Sequence, residues 1–350
     1  MKIAIIADLH FGVKKSDQTF LDSQLRFFQC QFVPELKQQN IDTIVVCGDV
    51  FDTRQTVNVA TENVVIDLFK NTFKDFNVHI IVGNHDMFHT TTTEVNSLKC
   101  LDLLPNVTVY EQMTEIELGG KKTLMLPWII NYEDFDQMVL KHYDYCFAHL
   151  DIVGFDMGGM LSEYGLTMLQ VMEKFDHTFT GHYHTRINRE SADGKTVTYV
   201  GSPYQITRID RNHERGYLVL DTDTDAYEWH NNTQSIKFHS FNYPNIDRTK
   251  VKGNVIDIHI PYDKQNETKQ IYDLIKELDA LFPAYPVNTF NDDPPVNGDE
   301  VELNVETGRF NIMNMAKTYI DQLDCGDKVT SDELYKALQE LYEQFKGIDD

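Results

Sequence analysis

Five short blocks in this sequence set metal-ligating side chains at the end of an apolar run: Asp8-x-His10, Asp49, Asn84-His85, His149 and His182-x-His184. Hard oxygen ligands mixed with imidazoles suit manganese, iron or zinc better than calcium, and no thiolate stands among them to build a closed structural zinc site. Even with His85 set aside, the seven others are too many for one ion. They suit two ions about 3.5–4 Å apart with one carboxylate bridging, the arrangement that clamps the attacking and leaving oxygens of a phosphoryl transfer.

The elements that must carry these blocks follow a repeated plan of strand, ligand-rich loop and helix. Lys2 to Gly12 reads KIAIIADLHFG, an apolar strand running into two ligands two residues apart. If the strand persists to its end, Asp8 and His10 share one face. Phe20, Leu21, Leu25, Phe28, Phe32 and Leu36 recur at helical spacing, and Pro34 predicts a bend or an end there. Strands at Ile41–Val46 and Val78–Val82 deliver the Asp49 and Asn84 blocks, with a helix from Asn58 to about Phe73 between them. Three repeats of this kind mark an α/β layered domain. Gly119-Gly120 predicts a tight hairpin turn, and two further strands end at His149 and at Gly181-His182. Between them, Gly154 to Met160 reads as a mobile loop or an ordinary surface loop.

Strands at 196–200, 217–220 and 226–229 complete the sheets, with Gly201-Ser202-Pro203-Tyr204 as a turn. Beyond a linker-like stretch, 243–252, stands a small β-α-β unit. The expected organisation is a first domain over 1–242, the small unit over 252–290, an acidic linker over 291–307 and a helical module over 308–346. Two short amphipathic helices in that module have little core of their own, so they are expected to dock on something.

Composition bounds the function. The chain has 350 residues, 41% hydrophobic and 25% charged, as in ordinary globular proteins. No apolar run approaches the ~20 residues of a membrane span, which predicts a cytoplasmic protein. Five scattered cysteines form no Cys-x-x-Cys pair. A net charge of −24 opposes unaided binding to nucleic acid, so a polyanionic substrate would require metal ions or a partner to offset the field.

Asp8-x-His10, Gly48-Asp49-x-x-Asp52, Gly83-Asn84-His85-Asp86 and Gly181-His182-x-His184, in that order, resemble the calcineurin-like metallophosphoesterase superfamily over residues 1 to about 230. Asp8-Leu9-His10-Phe11-Gly12, the Gly48–Asp52 block, Gly201-Ser202-Pro203, the small β-α-β unit and the C-terminal helix pair further resemble the SbcD-type recombination nuclease subunits, phage versions included. The resemblance implies a two-sheet sandwich flanked by helices, with the β-α-β unit as a capping, DNA-binding domain. It implies that Asp8, His10, Asp49 and His184 hold one ion and that Asp49, Asn84, His149 and His182 hold a second, Asp49 bridging. Manganese is the implied metal, with magnesium as a substitute. His85 is implied to touch the scissile phosphate or protonate the leaving oxygen. Asp52 is read as the carboxylate that orients His85, the alternative being a structural turn residue.

The implied function is DNA phosphodiester hydrolysis, as 3′–5′ exonuclease and single-strand endonuclease, in double-strand-break repair and recombination. The implied partner is an SbcC-type coiled-coil ABC ATPase, with a homodimer of this chain inside a heterotetramer, in the host cytoplasm if phage-encoded. The sequence has no Gly-x-x-x-x-Gly-Lys-Ser/Thr loop, so ATP hydrolysis would fall to that partner. Two alternatives stand beside this: a phosphoesterase acting on a small-molecule or protein phosphoester, and a non-catalytic scaffold. Lys14, Lys15, Arg54, Arg186, Arg189, Arg208 and Arg211 are candidates to meet a DNA backbone, and Tyr204 to stack on a base, with a solvated surface and a packed turn as the respective alternatives. His79, His89, His142, His177, His213, His230, His239 and His259 belong to no block.

Overall fold

The computed structural model describes residues 1–156, 160–293, 320 and 334–338. Alternation along the strands builds it. In β1 (Lys2–Ile6) and just beyond, Ile3, Ile5 and Ala7 face a second sheet while Ala4 and Ile6 face helices, all of them buried. A strand buried on both faces has to be apolar throughout, which is why KIAII shows no polar alternation.

β1 is flanked by β2 (Thr43–Val46), then β3 (Asn77–Ile81) and β4 (Val107–Tyr110), all parallel. The second sheet is started by the hairpin β5 (Thr114–Leu118) and β6 (Lys121–Leu126), whose turn glycines Gly119 and Gly120 take φ of 60° and 77°. Parallel strands β7 (Tyr143–His149), β8 (Phe175–Gly181) and, after the short strand β9 (Ile187–Glu190), β10 (Thr196–Tyr199) follow. After the turn at Gly201–Tyr204 the chain crosses back to the first sheet, where β11 (Gly216–Asp221) and β12 (Ala226–Asn231) are antiparallel. The two six-stranded orders are β12-β11-β1-β2-β3-β4 and β5-β6-β7-β8-β10-β9. An inter-sheet core of Ile5, Val45, Phe147, Phe179 and Leu218 joins them, and helices cover the outer face of the first sheet.

Pro34 does not end its helix. The helix Gln18–Phe27 passes through a wide π segment, Phe28–Phe32, and continues over Val33–Gln38. The Val33 N–H bonds back to the Phe28 carbonyl, so the ladder has already shifted by one residue where proline's missing N–H would have broken it. The helix Val59–Asp67, capped by Asn58, likewise runs into a π segment at Leu68–Thr72. Rings of Phe28, Phe32 and Phe73 meet edge-on between the two helices.

A third sheet is parallel throughout: β13 (Phe238–Asn242), β14 (Val255–Ile260) and β15 (Asn288–Asn291), with the helix Thr268–Asp279 leading from β14 towards β15. The β-α-β pattern in the sequence does not include β13. Its partner is β14, and Tyr243, Ile246 and Val251 of the linker-like stretch are buried in the same small core. The chain divides into compact units at Pro294/Pro295. Residues 320 and 334–338 are helical; residues 294–319, 321–333 and 339–346 of the expected linker and helix pair, and residues 157–159 of the Gly-rich loop, lie outside the described residues.

The third sheet is tied to the turn after β10 by Arg208, whose Nε and Nη2 donate to the two Asp257 carboxylate oxygens at 2.7 and 3.1 Å. Asp257 is 1% exposed and also accepts from Asn288 Nδ2 at 3.1 Å. Arg208→Ala removes two charge-assisted bonds from a buried carboxylate and is expected to cost about 1.5–3 kcal/mol in urea unfolding. A loss below about 0.5 kcal/mol, the range of ordinary surface substitutions, would show that Arg211, 3.8 Å away, carries the carboxylate alone.

Candidate metal centre

All the ligand blocks converge at the carboxyl ends of β1, β2, β3, β7 and β8, where open α/β sheets place their sites. The route differs from simple strand alternation. β1 ends at Ile6, and Asp8 and His10 both take left-handed backbone conformations, with φ of 54° and 44°. Asp49 and His182 are left-handed too, at 55° and 98°. Four non-glycine residues in this costly region cluster at one point, as strain does at functional sites. Asp8 and His10 therefore meet because the chain turns sharply twice, and because Asp8 N–H and His10 N–H bond to the Gly48 and Asp49 carbonyls on the neighbouring loop.

Each of the two buried carboxylates has one oxygen held by a main-chain amide and the other turned inward. Asp8 Oδ1 accepts from His182 N–H at 2.9 Å, while Oδ2 is buried with no hydrogen-bond partner. Asp49 Oδ1 accepts from His85 N–H at 2.8 Å, and Oδ2 lies 3.3 Å from His149 Nε2 and 3.7 Å from His10 Nε2. His10 Nε2 and His184 Nε2 are 3.0 Å apart. Asn84 Oδ1 lies 2.9 Å from His149 Nε2 and 3.3 Å from His182 Nδ1. Asp8, His10 and His184 thus gather on one side, Asn84, His149 and His182 on the other, and Asp49 reaches towards both. A buried carboxylate oxygen without a donor, among converging imidazole nitrogens, fits divalent metal ions, whose charge supplies what the protein does not.

Electrostatics reflect the crowding. Burial pushes the Asp8 carboxyl up to about 6. Burial would raise Asp49 as well, but His149 holds it well below its ordinary range. Burial opposes a charge on His149, yet the Asp49 carboxylate wins and lifts it to about 9. Burial, then the neighbouring His149 and His10, hold His182 and His184 down to about 3. His149 Nδ1 faces the Cys47 carbonyl at 2.7 Å, so it must donate there and leave Nε2 for a metal or a second proton.

His85 stands beside the centre, its ring 4.9 Å from that of His10. Its Nδ1 donates to Asp52, but to the main-chain carbonyl, at 2.6 Å, and not to the carboxylate as expected. The Asp52 carboxylate turns instead to His10 Nδ1, 3.2 Å away. The Asp52 N–H, in the preceding peptide, is bonded to the Phe11 carbonyl.

Several residues of the site carry no role in the sequence pattern alone. Asp86, 0% exposed, accepts four main-chain N–H groups, from Asp49, Val50, Phe51 and Gly83, and so clips the Asp49 and Asn84 loops together. Its place directly after the Asn84-His85 pair is the one available signal. Gly48 and Gly83 permit the close approach: a Cβ would come within 2.3 Å of His149 Nδ1 in the first case and of Asp49 Oδ1 in the second. Trp128 walls the site, its ring 5.0 Å from that of His182.

The cationic candidates are largely engaged with their own chain. Arg186 stacks on Trp229 and donates to Asn231 Oδ1 and the His230 carbonyl, Arg189 lies over Phe155, Arg211 donates to the Arg208 carbonyl, and Lys14 sits over Phe20 and Phe238. Lys15 is exposed and Arg54 half-exposed. Tyr204 is 1% exposed, packed among Phe20, Phe27 and Phe28, so it has no face to offer a base. His79, His142 and His177 pair with Tyr110, Asp176 and Thr196, away from the centre.

Residues 1–232 match the family model described as calcineurin-like phosphoesterase. Exonuclease subunit 1 of Enterobacteria phage T4 is 25% identical over 98% of both chains. The SbcD component of the nuclease SbcCD from Staphylococcus epidermidis is 24% identical over 92% of this chain and 94% of its own. A putative phosphoesterase of Invertebrate iridescent virus 6 is 26% identical over 63% of this chain and 75% of its own.

Metal uptake has to displace protons here. His149 near 9 is protonated at neutral pH, and Asp8 near 6 is partly so, and each must lose its proton to ligate. Calorimetric titration with Mn²⁺ is expected to show proton release and an affinity that tightens as pH rises from 6 to 9. An affinity flat across that window would mean that these two groups do not hold the ion.

Proposed function

Because the chain belongs to the calcineurin-like phosphoesterase family, we propose that it is the nuclease subunit of a two-component DNA-processing complex, hydrolysing phosphodiesters with two manganese ions. The observation that carries this reading is coverage. The relatives named as nuclease subunits align with 98% and 92% of the chain, including the region after residue 232, while the viral phosphoesterase aligns with 63%.

In this reading Asp8, His10, Asp49 and His184 hold one ion and Asp49, Asn84, His149 and His182 the other. The ions, when bound, neutralise the attacked phosphate and make a nucleophile available at neutral pH. His85 faces the substrate. With Nδ1 committed to the Asp52 carbonyl, its Nε2 donates only as imidazolium, so a proton for the leaving oxygen must be loaded on that nitrogen first. Asp52 acts twice, through its carbonyl on His85 and its carboxylate on His10.

The partner in this reading is a coiled-coil ABC ATPase of the SbcC type, docked by the helices at 308–346, with two copies of this chain in a heterotetramer that serves recombination and double-strand-break repair in the host cytoplasm. The 252–290 unit caps the site and meets DNA.

The test is manganese-dependent release of nucleotides from duplex DNA, with and without the ATPase, alongside a simple phosphodiester. His85→Ala is expected to lower turnover about 100-fold or more while leaving Mn²⁺ binding intact. Hydrolysis of the simple ester with no action on DNA, partner present, would replace this reading by that of a small-substrate phosphoesterase.

A further inference from the structure

The loop that carries Asp8 and His10 is held in its left-handed course by two side chains from elsewhere in the chain. Leu9, between the two candidate ligands, is fully buried, so its carbonyl must find donors inside the protein. Tyr204 Oη donates to it, and Gln24 Nε2 donates to it at 3.0 Å. Gln24 Nε2 also donates to Tyr204 Oη at 2.8 Å, closing a triangle, and lies 3.4 Å from the His10 carbonyl. Gln24 is 1% exposed.

Burial of a glutamine amide and a phenol against one carbonyl is unusual expenditure unless that carbonyl's direction matters. It does matter here, because the peptide between Leu9 and His10 lies between two residues with φ of 54° and 44°, Asp8 and His10. A relaxed loop would rotate that peptide, and with it the directions of Asp8 Oδ2 and His10 Nε2. The remaining anchors of the loop, the Asp8 and His10 N–H bonds to the Gly48 and Asp49 carbonyls, act on its other side.

We propose that Tyr204 and Gln24 are positioning residues for the metal centre, pinning the Leu9 carbonyl so that Asp8 and His10 present their ligand atoms before any ion arrives. The inference rests on the reading of Asp8 and His10 as metal ligands. It assigns to the Tyr204 hydroxyl a task at the metal site in place of contact with a nucleic-acid base.

Tyr204→Phe removes only the hydroxyl and keeps the ring among Phe20, Phe27 and Phe28; Gln24→Met removes the donors at similar volume. The control is Tyr217→Phe, which deletes another tyrosine hydroxyl bond, to Glu35, away from the ligand loops. Mn²⁺ affinity is measured by calorimetry on the full chain, with melting temperature in chelator measured in parallel. Each of the two variants is expected to weaken Mn²⁺ binding about tenfold, the pair together by less than the product because both serve one carbonyl, and Tyr217→Phe not at all. Unchanged affinity in Tyr204→Phe and Gln24→Met, with melting temperature lowered as in the control, would overturn the proposal and leave these residues as packing. Absence of Mn²⁺ binding in the unsubstituted chain would instead overturn the metal reading on which it stands.

Discussion

Two carboxylates, Asp8 and Asp49, are buried side by side among the rings of His10, His149, His182 and His184, and the surrounding structure is arranged around that crowding. Burial raises the cost of each negative charge, and each carboxylate raises the cost of the other. Main-chain amides of His182 and His85 offset part of it, and His149, charged by its proximity to Asp49, offsets more. What is left, a carboxylate oxygen with no donor, is charge that a cation answers better than any side chain. The unfavourable electrostatics of the ion-free centre are what make it fit a divalent cation.

Such a centre requires rigid support. The sandwich supplies it by bringing the carboxyl ends of strands from two sheets to one edge, so that ligands arrive from both layers on backbones too short to wander. Strain is concentrated in the few residues past those ends. Asp86 holds two of the loops together through four amides, and Gly48 and Gly83 let backbone and ligand approach where a methyl group would collide. None of these residues needs to touch an ion to determine where the ions' ligands stand.

The charge balance bears on partners. A chain of net −24 repels a polyanion, and its arginines near the turn after β10 and the third sheet are occupied internally, Arg186 against Trp229 and Arg208 against Asp257. If the chain acts on DNA as proposed, the positive potential that a polyanion requires has to come from bound ions or from a partner.

The sequence by itself determined the layered α/β class and the placing of polar blocks just past apolar strands, because apolar runs bounded by polar blocks are a local signal that packing does not alter. The Gly119-Gly120 turn was legible for the same reason, since turn chemistry is short-range. Tertiary structure alone decided how the ligands meet. Asp8 and His10 converge by two left-handed turns and not by strand alternation, a choice made by hydrogen bonds to a loop about forty residues away. Pro34 stays inside its helix because a π turn precedes it, and β13 joins the third sheet because its partner comes later in the chain. Asp52 uses its carbonyl on His85 and its carboxylate on His10, and Tyr204 turns its hydroxyl to Leu9, because the fold brings these partners within reach and polar groups away from water take them. Those partners lie far apart in sequence, and only the folded chain brings them within reach.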